Sequence, residues 1–154
     1  MNTTEFHYTT YLKSTPEKVW SAITTPEFAS KYWGNANFSD WKPGSRWEHR
    51  TPNGTAVCTG LVRESVPPTR LVLTWVLPED FGDQAKHSRV TFEIDDIKGM
   101  VRLSVTHDQL AEGSEMAKSI SGGWPRVLSS LKTFLETGVA LDTWAGQERS
   151  CHGK

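Results

Sequence analysis

The polar residue best placed to do chemistry in this sequence is His107. It follows Val101, Leu103 and Val105 at every second position, so on a β-strand all four side chains share one face. That face is apolar, and an imidazole on it is turned away from water. A neutral imidazole in such surroundings can orient a ligand oxygen, or take and return a proton near neutral pH. The alternative is a histidine at a strand end bonded to backbone. Asp108 is the next residue and points to the opposite face, so the two do not form a relay. His7, His49, His87 and His152 share no metal-ligand spacing with one another or with Cys58 and Cys151, and no metal is expected. The sequence contains no serine-nucleophile elbow, phosphate-cradling glycine loop or dinucleotide fingerprint, so no cofactor is expected either. Glu93, Asp95 and Asp96 fall on the polar phase of a strand or its turn, as a solvated surface would place them.

The second chemical resource is aromatic. Seven tryptophans, Trp20, Trp33, Trp41, Trp47, Trp75, Trp124 and Trp144, occur among 154 residues. Wide flat side chains suit the walls of an apolar pocket, and equally an ordinary core.

These residues need elements to hold them. Trp124, Val127, Leu128, Leu131, Phe134 and Leu135 recur at helical spacing, which predicts an amphipathic helix over 122–138. Pro125 falls in its first turn and Gly138 closes it. A separate short helix is predicted over 112–121, joined to it by Gly122 and Gly123. Near the N-terminus, Phe6, Tyr8 and Leu12 alternate with His7, Thr9 and Tyr11 in a strand over 5–13. Two short helices follow, each opened by a proline and an acidic residue: Pro16 with Glu17, then Pro26 with Glu27. From Phe38 onward the pattern is of strands and turns, with a hairpin at Pro52-Asn53-Gly54, a break at Pro67-Pro68 and a loop over 78–86. A second hairpin turns at Asp96-Ile97-Lys98-Gly99. Consecutive strands without crossover helices imply an antiparallel sheet. Its apolar face is then the partner of the C-terminal helix, and a twisted sheet curling around one helix leaves a hollow between them.

Size and charge narrow the partners. A chain of this length buries roughly two-thirds of its unfolded surface, enough for one core with room for a cavity. Residues 1–145 are read as a single domain and 146–154 as a flexible tail. With 17 basic and 18 acidic residues, a formal charge of -1 and no basic run, neither nucleic acid nor a membrane surface is an expected partner. Two cysteines do not make a disulfide framework, and no leader or spanning segment is recognisable. A cytoplasmic location is expected.

Beyond these patterns lies an ordered set of short motifs: Val19-Trp20-Ser21-Ala22-Ile23-Thr24-Thr25-Pro26-Glu27, Trp33, Lys42-Pro43-Gly44, Pro67-Pro68-Thr69-Arg70-Leu71-Val72-Leu73-Thr74-Trp75, Thr106-His107, and Gly123-Trp124 with Leu128, Leu131, Lys132, Leu135, Glu136 and Gly138. In that order they resemble the family named for activators of the 90-kDa heat-shock chaperone ATPase, within the START/birch-pollen-allergen-like (SRPBCC) superfamily. The resemblance runs from Phe6 to Gly138. It implies an α+β helix-grip fold: a curved antiparallel sheet of about six strands wrapped around a long C-terminal helix, with two short helices after the first strand and a deep apolar cavity. Superfamily members include lipid and polyketide carriers, hormone receptors, cyclases and dehydratases, and chaperone activators, so fold alone does not select the activity.

Strand phase, helix face and aromatic character select Trp33, Phe38, Trp47, Trp75, Phe92, His107, Trp124, Leu128 and Leu131 as the pocket lining. Tyr8 and Tyr32 are candidates for a hydroxyl that fixes ligand orientation. The leading reading is a protein that binds a small hydrophobic ligand, aromatic, polyketide-like or acyl, without catalysing its conversion. One alternative is a cyclase or dehydratase using His107 as acid and base, and another is a chaperone-activating partner protein. A homodimer is also compatible, with Trp41, Trp144 and Val139 to Leu141 as its apolar patch.

Overall fold

A computed structural model describes residues 2–141. Trp144, the end of the expected domain at 145 and the expected tail over 146–154 lie outside them. Strand β1 (Thr3–Leu12) leads into α1 (Pro16–Thr24) and α2 (Pro26–Tyr32). Thr15 caps α1 by accepting a hydrogen bond from the Lys18 N–H at 3.3 Å, and Pro16 and Glu17 suit its first turn. Six more strands follow: β2 (Ala36–Phe38), β3 (Arg46–Arg50), β4 (Ala56–Val66), β5 (Arg70–Trp75), β6 (Ser88–Asp96) and β7 (Val101–Ala111). They form one sheet in the order β1-β7-β6-β5-β4-β3-β2, with every neighbouring pair antiparallel. The sheet therefore has seven strands rather than about six. The addition is β2, three residues that no alternation over so short a run can announce. Within the expected loop over 78–86 the chain makes two single-turn 3-10 helices, Pro78–Asp80 and Gln84–Lys86.

The C-terminal helix α3 runs unbroken from Glu115 to Thr137. The two helices predicted over 112–121 and 122–138 are thus one, and Pro125 lies in its interior rather than in a first turn. Proline there deprives the Ser121 carbonyl of its N–H partner. Ser121 and Gly122 are exposed, so that carbonyl sits on the side of the helix that faces water. On the opposite side Ile120, Trp124, Val127, Leu128 and Leu131 form one uninterrupted buried stripe. Burying each of the larger side chains contributes about 1.5–3 kcal/mol, enough together to offset the roughly 3 kcal/mol that an internal proline costs. Ser114 caps the start through the Ala117 N–H at 3.1 Å, and Gly138, at φ 84°, closes the end by donating to Phe134 O at 2.8 Å.

Polar ties fix α3 against its neighbours. Ser130, wholly buried, donates to Tyr32 O at 2.7 Å, and Lys132 Nζ donates to Tyr11 O at 2.8 Å. The inner face of the sheet holds Val90, Phe92 and Ile94 on β6 and Val101, Leu103 and Val105 on β7, all at 2% exposure or less. A bulge interrupts the pairing of β1 with β7 between Thr4 and Phe6, and Gln109 there adopts φ 57°. It shifts the phase of β7, so that Leu110 rather than Gln109 is the next buried residue after His107.

Candidate functional site

The centre of the grip is a cluster of rings. Trp33 ends α2, Trp47 and His49 come from β3, Trp75 from β5, Phe92 from β6, His107 from β7 and Trp124 from α3. Trp124 meets Phe92, Trp75 and Trp33 edge-on, with ring centroids 5.7, 5.3 and 5.8 Å away, the orientation that the ring quadrupoles favour. Trp47 lies 4.9 Å from Trp75, and Trp33 4.5 Å from His49. None of these side chains exceeds 6% exposure, so the rings touch one another rather than lining a wide void. Gly60 makes part of this packing possible. Trp47 crosses beneath β4 there and donates its indole N–H to Thr74 O on β5 at 2.8 Å. A Cβ on Gly60 would lie 1.9 Å from that oxygen and 2.7 Å from the Trp47 nitrogen.

His107 is inside the cluster, and its partners fix its tautomer. An indole N–H can only donate, so the 3.1 Å contact from Trp124 Nε1 makes His107 Nδ1 an acceptor. The proton therefore sits on Nε2, which donates to Ser88 Oγ at 2.8 Å, and the Ser88 hydroxyl donates onward to Trp75 O at 2.8 Å. Burial pushes the His107 pKa down to about 3, against a smaller opposing pull from Asp108. The imidazole is neutral and both its nitrogens are engaged.

His49 is equally buried but differently served. Asn37 donates through Nδ2 to Ile23 O at 3.0 Å, which leaves its Oδ1 as acceptor for His49 Nδ1–H at 2.8 Å. Among the described residues His49 Nε2 has no hydrogen-bond partner. Burial lowers the pKa of this imidazole too, to about 3.

Trp33, Trp47, Trp75, Phe92, His107, Trp124, Leu128 and Leu131 are all buried in the core between sheet and helix, and Tyr8 is half-buried on the same side of β1. One expected lining residue, Phe38, and one expected ligand-orienting hydroxyl, that of Tyr32, are placed otherwise. Phe38 neighbours the inward-facing Asn37 and so points to the other face, where the Arg50 guanidinium covers its ring at 4.3 Å. The Tyr32 hydroxyl donates to Ala22 O at 2.9 Å, and burial raises its pKa well above the ordinary phenol range. It joins α2 to α1 instead of facing a ligand. The cluster also contains His49, Asn37 and Ser88, which the sequence pattern does not single out. His49 stands two residues after Trp47, and Ser88 keeps the phase of Val90 and Phe92, so alternation carries a signal for both.

A groove of about 390 Å³ opens at one end of the grip, beside the first turn of α3. Its apolar walls include Val76, Leu77, Leu110 and Met116, and Asp80, Lys86 and Glu115 also border it. Ser88 lines it as well, one hydrogen bond from His107. Among the described residues no three His, Cys, Asp or Glu side chains cluster in a way that could hold a metal ion. None of the described helices is long and apolar enough to cross a membrane.

Comparison with solved structures finds the same architecture repeatedly. A protein from Mesorhizobium loti shares 23% identity at a TM-score of 0.72, over 86% of this chain and 96% of that one. The Aha1 dimer from Colwellia psychrerythraea shares 21% identity at a TM-score of 0.70, over 88% and 98%. An HSP90 activator from Plasmodium falciparum shares 21% identity at a TM-score of 0.70, over 85% and 95%. Comparison with curated proteins finds no match. At these identities the structural likeness shows the fold, the helix-grip arrangement of a curved antiparallel sheet around a C-terminal helix. The sequence profile described as Activator of Hsp90 ATPase homolog 1-like protein matches residues 13–136, and the chain belongs to that family.

Proposed function

We propose that the protein binds a small apolar molecule between α3 and the inner face of the sheet, entering by the groove beside the first turn of α3. One observation carries this reading: Ser88 is both a wall of the groove and the hydrogen-bond partner of His107, so the groove abuts the aromatic cluster directly. Its volume of about 390 Å³ falls within the range of small-molecule sites, roughly 300–1,000 Å³. Burial of apolar ligand surface supplies affinity at about 25 cal/mol per Å². Binding is favoured over catalysis because the His107 lone pair is already taken by Trp124 and its proton by Ser88. A general base needs that lone pair free.

The test is a titration with flat aromatics and fatty acids, followed by intrinsic tryptophan fluorescence. Saturable quenching is expected, and Met116→Glu, which places a charge on a half-buried wall of the groove, is expected to weaken it at least tenfold. A panel without any saturable response would overturn the reading. An unaffected Met116→Glu variant would relocate the entrance.

A partner-protein role stands second, favoured by an apolar hollow of about 300 Å³ that includes Phe28 and Leu135. Val139 and Leu141 are also exposed, at 70% and 44%, and large exposed apolar residues mark interaction surfaces when they are contiguous. The Plasmodium relative, described as an HSP90 activator, makes a chaperone one candidate. The Colwellia relative, described as a dimer, makes a second copy the other. Stimulation of a 90-kDa chaperone ATPase that Phe28→Ser abolishes would bring this reading to the front.

A further inference from the structure

Among the described residues, buried side-chain polar atoms without a hydrogen-bond partner are few, and they are not scattered. Five such atoms occur among the described residues: Ser14 Oγ, both amide atoms of Asn35, His49 Nε2 and Trp75 Nε1. Asn35 immediately precedes β2 and is two residues from Asn37, the cross-strand partner of His49. His49 and Trp75 are ring neighbours, with centroids 6.4 Å apart. Four of the five atoms therefore belong to the residues that flank or form the His49 side of the cluster, where Trp33 also packs.

The two ring atoms are chemically complementary but are not satisfied by one another in the present packing. His49 has its proton on Nδ1, held by Asn37, so its Nε2 is a pure acceptor. Trp75 Nε1 carries a hydrogen and is a pure donor. Leaving a buried donor or acceptor unmade costs on the order of 1–3 kcal/mol each, and native interiors rarely tolerate it. A single hydroxyl group answers both, since it donates one hydrogen bond and accepts another. A carboxylate cannot, because it has no hydrogen for His49, and an amine leaves Trp75 with a poor acceptor. Trp47 by contrast has its indole N–H satisfied by Thr74 O, so the shortfall is specific to this corner and not a property of all the tryptophans.

We propose that the corner between Trp33, His49 and Trp75 is the polar end of the ligand site, and that it selects an uncharged apolar molecule bearing a hydroxyl, which donates to His49 Nε2 and accepts from Trp75 Nε1. This rests on the binding reading above and adds the chemistry of the ligand to it. Both atoms are closed off from solvent in the present packing, so the rings over them shift to admit the hydroxyl, and two new hydrogen bonds compensate for the ring packing given up in that shift. A carboxylate is rejected twice, by the lone pair of His49 and by the desolvation of its own charge.

Three probes of one shape decide the matter: 2-naphthol, 2-methylnaphthalene and 2-naphthoate, titrated into the unmodified protein by calorimetry. By burial alone the methyl compound is the better ligand, by about tenfold, because its substituent prefers an apolar site and a hydroxyl does not. With the corner as described the order reverses: 2-naphthol binds at least as tightly as 2-methylnaphthalene, and 2-naphthoate binds weakest. The Trp75 indole N–H resonance, identified by its loss in Trp75→Phe, moves downfield with 2-naphthol and stays with 2-methylnaphthalene. His49→Phe restores the burial order.

If 2-methylnaphthalene binds about tenfold tighter and the Trp75 resonance does not move, the hydroxyl site is wrong while cavity binding stands. Tightest binding by 2-naphthoate also overturns it, in favour of a site selecting charge. If neither neutral compound binds, the hydroxyl site falls, and the binding reading is then decided by the wider panel of flat aromatics and fatty acids. The resonance shift is measured on the unmodified chain, so the proposal stays testable even where His49→Phe fails to fold.

Discussion

The inner and outer faces of the sheet share one hydrogen-bonded ladder and treat polar groups in opposite ways. Inside, His107, Ser88 and Trp124 are buried and joined by neutral hydrogen bonds. Outside, the same strands carry ion pairs open to solvent: Arg89 with Asp108 across β6 and β7, Arg102 with Asp95 on the same pair, and Arg70 between Glu64 and Glu93. A polar groove of about 540 Å³, bordered by Arg63, Gln84 and Gln109 among others, lies against them. The vulnerability of the fold divides in the same way. An inner polar group is worth little when satisfied and costs much when disturbed, whereas an outer one is exchanged for water at small cost. Three experiments test that contrast.

Acid should have the largest effect. His49 and His107 have pKa values of about 3 in the folded protein, against about 6.5 in an unfolded chain. Between these values the unfolded state binds more protons, so stability rises with pH. The contribution is fully present above about pH 6.5 and is lost as the pH falls toward about 3. Well inside that window each imidazole takes away about 1.4 kcal/mol per pH unit. Two units of acidification then remove about 5–6 kcal/mol, comparable with the whole stability of many domains. Urea midpoints measured from pH 7 to 4 should fall steeply, and His107→Phe should make the slope shallower. A flat profile would mean that the inner imidazoles accept protons without unfolding, and the contrast between faces would collapse.

Gly60→Ala comes next. The new Cβ would sit 1.9 Å from Thr74 O and 2.7 Å from Trp47 Nε1. Thr74 O is backbone within the sheet and cannot withdraw as a flexible side chain would. Trp47, wholly buried, has nowhere to turn without giving up its bond to that same oxygen. Overpacking of this severity is expected to cost more than about 3 kcal/mol, beyond the ordinary 1–3 kcal/mol for an added methyl group. Urea unfolding followed by circular dichroism measures it. A loss below about 1 kcal/mol would show that Trp47 does not thread beneath β4.

How far the sequence reveals this site follows from the range of the interactions involved. Alternation places Val90, Phe92 and His107 inward, because a strand's side chains are sorted by the strand itself. The same rule covers His49 and Ser88, but nothing local gives a reason to want those polar groups inside. What local pattern cannot carry is a partner far along the chain. The Trp124 to His107 to Ser88 chain spans α3, β7 and β6, and its tautomer is legible only once all three are assembled. Pro125 shows the converse. Its local meaning is a helix start, and the continuous stripe that α3 buries against the sheet overrides it. Phe38 qualifies as a lining residue by being aromatic and Tyr32 as an orienting hydroxyl by its phenol, but the phase of β2 and the nearness of α1 decide where they point.

The smallest effect is expected at Arg89 and Asp108. Their geometry is good, with Arg89 Nε donating to one carboxylate oxygen at 2.9 Å and Nη2 to the other at 2.6 Å, and the pairing holds the Arg89 pKa above its ordinary value. Good geometry would argue for strength if the pair were dry. Yet the Arg89 side chain is 44% exposed, so water competes for both partners and salt screens the attraction. A double-mutant cycle with Arg89→Ala and Asp108→Ala should therefore give a coupling of about 0.5–1 kcal/mol, shrinking as salt is raised to about 1 M. The bidentate fork places it at the upper end of that range. A coupling above about 2 kcal/mol that salt leaves unchanged would mean that the outer groove withholds water from the pair. The outer face would then have to be treated, like the inner one, as a surface that binds something rather than one that merely dissolves.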